Sequence, residues 1–413
     1  MGRILEHSAK QLLEQSGIPV PKGVIARSVS EVEDAASALG GQVVLKALVP
    51  VGRRAMAGGV VMARCDSEAV EAARRLLGAQ VGGYPVEALL VEECLSLRQE
   101  LYFAVTLHHQ RKGVVALASV LGGIHVQEMA GLSGAFHEIR LDPWGRVMPH
   151  DVREMWAALG IQGRLLMDVA EVSYRVVRLF FDLDATLVEV NPVGVLEDGS
   201  PSRLSEGQSV FAVSAVIAVD DNALPRHRDL AAMVQAGTDR LWRPPTSLER
   251  QAMGAAARDP YRGTARFIQL DGDIGFLCGG GGGSLVFFDA LLRAGGRPAC
   301  YTELGGNPTV DKVRGLATVV LSCPGVRGLL VGHNITNNTQ VDVVARGVVA
   351  ALTDLSLSPR DFPIVAREIG THDVEGRAIF EQVGIEYLGE DTTMEDAAGR
   401  IVERVYGPSS APP

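Results

Sequence analysis

From residue 265 onward, short apolar segments alternate with segments of helical periodicity, and this alternation limits the possible folds more than any other feature of the chain. The apolar segments have the length of buried strands, which a parallel sheet covers on both faces. They are ARFIQL, DIGFLCGGGGG, PACYTELGG, GLLVGHNITNN, FPIVAREIG and IEYLGED. Helical periodicity occurs at residues 284–294, 309–321, 340–355, 374–383 and 394–406. This α/β pattern predicts a doubly wound parallel sheet with right-handed crossovers, and such sheets bind ligands at the carboxyl ends of their strands.

The chain has 413 residues, which is too long for one ordinary core. Before residue 265, the segment DRLWRPPTSLERQAMGAAARDPYRGTA carries two adjacent prolines and mixed charges, as domain boundaries often do. We therefore expect a first domain at residues 1–240, a linker at 241–264, a second domain at 265–407 and a disordered tail at 408–413.

Three predictions concern elements of the first domain. Residues 1–20 have the pattern of an amphipathic helix that ends at Gly17. Residues 148–184 are predicted to be helical, with a break at Gly160. Residues 185–200 are predicted to form a strand, a turn, a second strand and a hairpin turn.

The composition disfavours several classes of function. A net charge of −10 argues against nucleic acid or an anionic membrane as the main partner, although local positive groups can still bind a small anion. The five cysteines have neither the spacing of a zinc site nor a CxxC motif, so we expect a reducing compartment, the cytoplasm. No apolar run approaches the length of about 18 residues that a membrane-spanning helix needs.

Two charged features of the first domain are typical of a nucleotide site. Lys46 lies near the end of the strand VVLKAL, and the loop VPVGRRAMAGGV follows it. Glycines in such a loop let backbone N–H groups approach phosphates, and lysine and arginine supply positive charge. In LVEECLSLRQEL, Glu92 and Glu100 offer acceptors for an adenine amino group and for ribose hydroxyls. A simple turn and solvated surface acids remain alternative explanations.

A third feature has the chemistry of a magnesium site. LVEVNPV contains Glu189 and Asn191, and the nearby segment RLSEGQ contains Glu206. Mg²⁺ prefers hard oxygen ligands and takes few protein groups when a triphosphate supplies the others. Carboxylate and amide oxygens on adjacent strands therefore predict a place for Mg²⁺.

Amides and hydroxyls crowd residues 334–340, between a predicted buried strand and a predicted helix. Asn and Thr favour Asx turns and helix N-caps, so a solvated loop is one explanation. The other explanation is a site for an anionic group, because the free N–H groups and the dipole of a helix N-terminus favour negative charge.

In order and spacing, these motifs resemble the β subunit of succinyl-CoA synthetase (succinate–CoA ligase), whose first half is an ATP-grasp domain. The resemblance covers nearly the whole chain and rests on LLEQSGIPVPKG, VVLKALVPVGRRAMAGGV, LLVEECLSLRQELYF, ATLVEVNPVGVLEDG, DGDIGFLCGGGGGSLVFFDAL and YTELGGNPTVDKV. It implies an ATP-grasp domain followed by a flavodoxin-like, doubly wound CoA-ligase domain. It also implies that ATP or GTP, CoA and a carboxylic acid react, with Mg²⁺ as cofactor, to give a nucleoside diphosphate, phosphate and an acyl-CoA. A separate α subunit would carry the CoA site and the phosphohistidine, so no catalytic residue is expected in this chain.

The resemblance assigns roles to single residues. Nucleotide contacts are implied for Lys46, Arg53, Arg54, Ala55, Glu92, Leu95 and Glu100. Mg²⁺ ligands are implied at Asn191 and at Glu206, where the family usually has Asp. Acid contacts are implied at Gly279, where the family has Asn, and at Asn337, Asn338 and Thr339, which replace a Gly-Gly-Ile-Val segment.

The second half also resembles another group of enzymes. CGGGGGS and GHNITNNTQ look closer to the citrate-binding part of ATP-citrate lyase and citryl-CoA synthetase than to the succinate enzyme. In that comparison Arg367 matches an arginine that holds a substrate carboxylate, and an arginine fork suits a carboxylate bidentately. A surface arginine after a strand is the alternative. We expect succinate or a related di- or tricarboxylic acid, with Asn337, Asn338 and Thr339 favouring a hydroxylated one.

The glycine-rich loop departs from the family pattern Gly-Gly-Arg-Gly-Lys, since here Gly52 is followed by Arg53, Arg54, Ala55 and Met56. The choice between ATP and GTP therefore stays open. Two other functions also stay open: a stand-alone ATP-grasp carboxylate–amine ligase, and a non-catalytic paralogue that regulates an acyl-CoA enzyme. An amine ligase has no need of the second domain, whereas the altered loop is compatible with a regulatory paralogue.

Overall fold

The structure is a computed structural model, and it describes residues 2–52, 54–123, 126, 136–197, 209–235, 244–259 and 261–407. The chain divides into two compact units, residues 1–244 and 245–413, which are called here the first and second unit. Their boundary lies at the two adjacent prolines of the segment predicted as a linker. Part of that segment is a helix of the second unit, which begins with a capping box between Thr246 and Glu249.

The helices and strands are as follows. The described strands are β1 Gly2–Ile4, β2 Gly23–Ala26, β3 Val43–Ala47, β4 Val60–Ala63, β5 Gln80–Val81, β6 Tyr84–Pro85, β7 Leu89–Glu93, β8 Leu97–His108, β9 Gly113–Ser119, β10 His137–Leu141, β11 Ala185–Leu196, β12 Val210–Ala212, β13 Ala215–Val219, β14 Val234–Gln235, β15 Ala265–Gln269, β16 Ile274–Gly279, β17 Cys300–Leu304, β18 Gly328–Gly332, β19 Ile364–Arg367 and β20 Glu386–Leu388. The described α-helices are α1 Glu6–Gln15, α2 Val29–Ala38, α3 Asp66–Leu76, α4 Pro149–Ala158, α5 Gly163–Asp182, α6 Arg228–Ala231, α7 Ser247–Ala257, α8 Gly281–Arg293, α9 Val310–Leu321, α10 Val341–Asp354, α11 Asp373–Gln382 and α12 Met394–Tyr406.

The first unit contains two main sheets among its described residues. The larger sheet has the order β10-β9-β8-β11-β13-β1-β14, with β12 paired to β11, and the smaller has the order β2-β7-β3-β4. Helices α4 and α5 pack on the larger sheet and bury Trp156 and Val176 against Phe103. The predicted helical break at Gly160 is confirmed, because α4 ends two residues before it and α5 begins three residues after it.

Two predictions for the first unit are wrong. The predicted helix at residues 1–20 begins only at Glu6, because residues 2–4 form β1 and pair with β13 and β14. The strand, turn and strand predicted at residues 185–200 are one strand, β11, up to Leu196. The hairpin turn predicted after them lies outside the described residues from residue 198 onward. The proline causes a register shift against β8 between Val190 and Val193 rather than a turn, because the neighbouring strand continues on both sides.

The second unit contains the predicted parallel sheet, with the order β15-β17-β16-β18-β19-β20. Leu329 and Val331 face a core formed with α9, α10 and α11, whereas Leu330 faces a core formed with α8 and α12. The sheet is thus covered on both faces. The first strand is an exception, because β15 is antiparallel to β17. Its connection to β16 is only residues 270–273, which is too short for the helical crossover that parallel strands require.

None of the helices that the structure describes is both long enough and apolar enough to cross a membrane.

Candidate functional site

Lys46 on β3 is the centre of a buried charge cluster that consists of Glu6, Lys10, Lys46, Arg54 and Glu92. The Lys46 ammonium lies 3.1 Å from Glu6 Oε1 and 2.7 Å from Glu92 Oε2. Lys10 pairs with Glu92 and lies 3.4 Å from Glu6, and Arg54 pairs with Glu6. All five side chains are at least nine-tenths buried. Three cations and two carboxylates leave the cluster with a net positive charge.

In the charge cluster, opposite charges stabilise the ionised forms of Lys46 and Glu6. Burial would lower the pKa of Lys46, but Glu6 and Glu92 outweigh burial and raise it. Burial would raise the pKa of Glu6, but Arg54, Lys46 and Lys10 lower it well below its usual range. For Lys10, burial and then the neighbouring Lys46 ammonium lower the pKa to about 8. Lys46 therefore keeps its positive charge at neutral pH.

The glycine-rich loop contributes one side chain to the charge cluster. Arg54 Nη1 donates to the carbonyl of Ala47, 3.1 Å away, while Nη2 reaches Glu6. Ala55 is exposed, and Leu95 beyond β7 is half-buried. Arg53 lies outside the described residues, and its nucleotide contact stays a prediction.

Glu6 and Lys10 are members of the charge cluster that the sequence analysis missed. They lie one helical turn apart on α1, on the same buried side as Ala9 and Leu13. Charged residues at i and i+4 on the apolar side of a helix would have been the signal, because buried charges need partners.

Asn191 is held at the register shift of β11 by a turn that follows β9. Its Oδ1 accepts from the Gly123 N–H at 2.7 Å, and its Nδ2 donates to the Gly123 carbonyl at 3.2 Å. A Cβ at Gly123 would overlap the carboxylate of Glu100, so this carboxylate lies directly against the same turn. The structure thus brings Glu100 and Asn191 together, as the sequence predicts for neighbouring parts of one site.

Val213 connects the charge cluster to Asn191. Lys46 Nζ donates to the Val213 carbonyl at 2.8 Å, and the Val213 N–H donates to the carbonyl of Pro192 at 3.1 Å. The next residue, Ser214, accepts from the Asn191 N–H at 3.0 Å. The candidate phosphate lysine and the candidate metal ligand are therefore linked by the two adjacent residues that connect β12 and β13.

Carboxylate oxygens of the kind that bind Mg²⁺ lie near Asn191. Burial raises the pKa of Glu189, and this effect exceeds the opposing hydrogen bond from Asn191 and the opposing charge of Arg3. Glu206, the other predicted ligand, lies outside the described residues. Within the described ranges there is no group of three or more His, Cys, Asp or Glu side chains that would hold a metal ion without further ligands. An amide oxygen and one carboxylate are nevertheless a suitable partial ligand set for Mg²⁺ that also binds phosphates.

At the carboxyl ends of β16, β18 and β19, the second unit places Gly279, His333 and Glu368 in one row, which is called here the strand-end row. Both Glu368 oxygens lie near His333 Nδ1, at 2.7 and 2.9 Å. A Cβ at Gly279 would overlap the imidazole of His333, so only glycine leaves room for this ring. Gly279 was predicted as an acid contact, whereas His333 and Glu368 were not.

Arg367 lies one residue before Glu368 and is mostly buried, with 7% of its surface exposed. Its Nη1 donates to the carbonyls of His333 and Asn334, both at 2.7 Å, and its Nε donates to the carbonyl of Thr392 at 3.0 Å. The guanidinium thus fixes the backbone after β18. Its predicted contact with a substrate carboxylate stays a prediction.

The polar loop before α10 is exposed at Asn337 and Asn338 and buried at Thr339. A Cβ at Gly306 would lie 3.3 Å from Asn338 Nδ2, which places this amide near the end of β17. The N–H of Val341 at the start of α10 donates to the Thr371 carbonyl, 2.9 Å away. Asp342 occupies the first turn of α10, so an anion at this helix N-terminus would meet a carboxylate.

Both units match known protein families. A model of the ATP-grasp domain family matches residues 3–195, and a model of the citrate-binding part of ATP citrate lyase matches residues 262–396. The ADP-forming succinate–CoA ligase subunit beta of Ignicoccus hospitalis is 34% identical over 402 residues, which cover 97% of this chain and 98% of that protein. The GDP-forming subunit beta of Thermus thermophilus is 34% identical over 404 residues, with 97% and 98% covered.

Among solved structures, ATP citrate lyase from Methanothrix soehngenii, in complex with citrate and coenzyme A, is similar in fold. The TM-score is 0.70 at 20% identity, with 98% of this chain and 99% of that chain covered. At this level of identity the similarity shows the fold. The predicted fold class, an ATP-grasp domain followed by a parallel-sheet domain, is confirmed.

Proposed function

The chain belongs to the family of succinate–CoA ligase β subunits, and from this we propose that it is the β-like subunit of a nucleotide-dependent acid–CoA ligase. The reaction would convert ATP or GTP, a carboxylic acid and CoA into a nucleoside diphosphate, phosphate and an acyl-CoA. The observation that carries the proposal is the connection through Val213, because it joins Lys46 and Asn191 into one site.

Each part of that site has a role in the proposed phosphoryl transfer. The Lys46 ammonium, which stays charged, would exchange one of its three present acceptors for phosphate oxygens and stabilise the charge of the transferring group. Glu92 would hold the lysine in position, and Glu100 would accept from the ribose. Asn191 and Glu189 would hold Mg²⁺ together with Glu206, and the bound ion would neutralise charge on the phosphates.

We assign the phosphoryl-accepting histidine to a separate α subunit, together with the CoA site. Neither histidine near the two candidate sites is suited to this role. His7 on α1 is only partly exposed. His333 is 3% exposed, and its Nε2 lies against the backbone of Gly279.

The proposed acid is succinate or a related di- or tricarboxylic acid. The citrate-binding family model covers residues 262–396, which include Gly279, Arg367 and the polar loop before α10. Uncharged amides and hydroxyls in that loop can pair with carboxylate oxygens and with hydroxyls. The first turn of α8 consists of glycines without an acidic residue, so its N–H groups would favour an anion there.

Turnover by the chain purified together with its α partner tests the proposal. Formation of nucleoside diphosphate should require both the acid and CoA. We expect Lys46→Ala to lower kcat/KM for the nucleotide by about a hundredfold or more, because a charged donor to the transferring phosphoryl group is lost. Lys22→Ala is the matched control, since Lys22 is an exposed lysine of the same unit, and it should leave kcat/KM unchanged.

Two other outcomes would replace the proposal. Turnover that requires an amine in place of CoA would identify a carboxylate–amine ligase. Nucleotide binding without turnover of any di- or tricarboxylic acid, in the presence of the α partner, would identify a regulatory paralogue.

A further inference from the structure

The strand-end row, which consists of Gly279, His333 and Glu368, is a buried polar arrangement in a position where ligands of parallel sheets bind. Cys278, Gly332 and Arg367 are the last residues in register on β16, β18 and β19, and the strand-end row follows one residue later. The next residues, Gly280 and Asn334, are exposed. The imidazole of His333 therefore lies one residue below the surface at the carboxyl edge of the sheet.

The two nitrogens of this imidazole have different surroundings. Nδ1 faces the Glu368 carboxylate, which can only accept when it is ionised, so Nδ1 carries the proton. In the neutral ring, Nε2 then has a lone pair and is an acceptor. Nε2 is buried and has no hydrogen-bond partner among the described residues. A buried acceptor without a hydrogen-bond partner destabilises the fold, and a ligand that donates a hydrogen bond to it would remove this cost.

The Nε2 edge of the ring lies against the backbone of Gly279. Gly279 has no side chain where the imidazole lies, and a Cβ there would overlap it. Side chains at Gly280 or Gly282 would meet no atom within 4 Å, so the turn above the ring has room around it. The backbone of His333 is held in place, because Arg367 donates hydrogen bonds to the carbonyls of His333 and Asn334.

We propose that His333 is a specificity-determining residue whose Nε2 accepts a hydrogen bond from the hydroxyl group of a hydroxycarboxylic acid. Gly279 and Gly280, which present no side chain to the ring, shift to admit the hydroxyl group, while Glu368 holds the ring in the accepting tautomer. This inference rests on the proposed function and narrows its substrate class. A carboxylate offers no proton to Nε2 in this tautomer, so an acid without a hydroxyl leaves Nε2 unpaired.

Calorimetry on the complex with the α partner tests this inference without depending on turnover. The probes are two matched pairs, malate with succinate and citrate with tricarballylate, whose members differ only in the hydroxyl. We expect the wild type to bind the hydroxy acid of at least one pair about tenfold more tightly than its analogue. His333→Phe keeps a ring of similar shape without an acceptor and should make the two affinities of that pair equal. His372→Asn, at an exposed histidine of the same unit, should preserve the difference.

Two results would overturn the inference: a wild type that does not distinguish the acids within either pair, or a His333→Phe variant that weakens both members of the preferred pair equally. The second result would assign the histidine a structural role. If His333→Phe does not fold, Glu368→Gln gives the same information. Without the charged acceptor, the proton is no longer held on Nδ1 of His333. The ratio of the affinities for the hydroxy acid and for its analogue should then fall. Preferential binding of a hydroxy acid without turnover would contradict the proposed function alone.

Discussion

Glu6 determines how the charge cluster of the first unit is balanced. Its carboxylate faces three cations, namely Arg54, Lys46 and Lys10, and it is almost completely buried. Because these cations lower the pKa of Glu6 well below its usual range, the ionised form is strongly favoured in the folded protein. Removing it would leave three buried cations with Glu92 as the remaining carboxylate of the charge cluster.

We therefore expect Glu6→Gln to lower the free energy of unfolding by about 3–5 kcal/mol at neutral pH. The unfolded chain binds a proton at Glu6 more readily than the folded chain does. The stabilisation is thus fully present above about pH 4.5, the ordinary value, and is lost as the pH falls toward the folded value. The variant should therefore depend less on pH in this acidic range than the wild type.

Urea denaturation followed by tryptophan fluorescence measures this effect in the first unit, because Trp144, Trp156 and Trp242 all belong to residues 1–244. Glu14→Gln, at an exposed glutamate of α1, is the control and should change stability little. Equal pH dependence in wild type and Glu6→Gln would contradict the expectation.

Among the single elements, strand β11 belongs to the larger sheet and also contains the candidate metal ligand Asn191. Its register shift at Asn191 and Pro192 interrupts the pairing with β8, and the Asn191 side chain turns to Gly123. The amide oxygen is thereby held at the Gly123 turn, against which the Glu100 carboxylate also lies. A straight strand would present alternate side chains to opposite faces without this displacement.

For this element we expect Asn191→Ala to raise the Mg²⁺ concentration needed for half-maximal activity by about tenfold or more, because one hard oxygen ligand is lost. Asn191→Asp keeps an oxygen for both the ion and the Gly123 N–H but loses the donor to the Gly123 carbonyl, so its Mg²⁺ dependence should lie between those of Asn191→Ala and the wild type. Titration of activity with Mg²⁺ measures the difference. If Asn191→Ala and Asn191→Asp respond alike, the residue acts through the turn at Gly123 and the metal site lies elsewhere.

The glycine run at the junction of β16 and α8 gives a second test at this scale. Gly279→Ala should destabilise the second unit by about 1–3 kcal/mol, because the new methyl group overlaps the His333 ring. Gly282→Ala in the first turn of α8 meets open space and should stabilise by about 0.5–1 kcal/mol. Hydrogen exchange of peptides from β16 and β18 reports on both. Equal protection in the two variants would show that the imidazole moves away without cost.

For the whole molecule, the proposed function divides the reaction between two subunits. Incubation of this chain alone with γ-labelled ATP should therefore give no acid-labile phosphoenzyme, whereas addition of the α partner should give one on the partner. The physical reason is that His333 is buried with its Nε2 against Gly279, while Lys46 and Asn191, the proposed phosphate and metal contacts, supply no phosphoryl acceptor. Label on His333 in the absence of a partner would contradict this division.

The order of strands and helices followed from the sequence, because periodicity depends on residues only a few positions apart. The parallel sheet of the second unit, the break near Gly160 and the candidate positions of Lys46, Glu92, Asn191 and Gly279 were all visible there. A resemblance over most of the chain gave these residues roles that their spacing alone left open. Features that depend on local pattern were therefore the ones that the sequence determined.

Tertiary structure alone decided which of these residues meet. Lys46 and the Val213 carbonyl are 167 positions apart, and His333 and Glu368 are 35 apart, so no short-range pattern contains either pair. The same holds for β1, which is a strand only because β13 and β14 lie beside it, and for the continuity of β11 across its proline. Hydrogen bonds and ion pairs act over a few ångströms in space, whatever the distance along the chain. Partners, tautomers and buried charge balance are therefore set by folding, whereas periodicity is already set by the sequence.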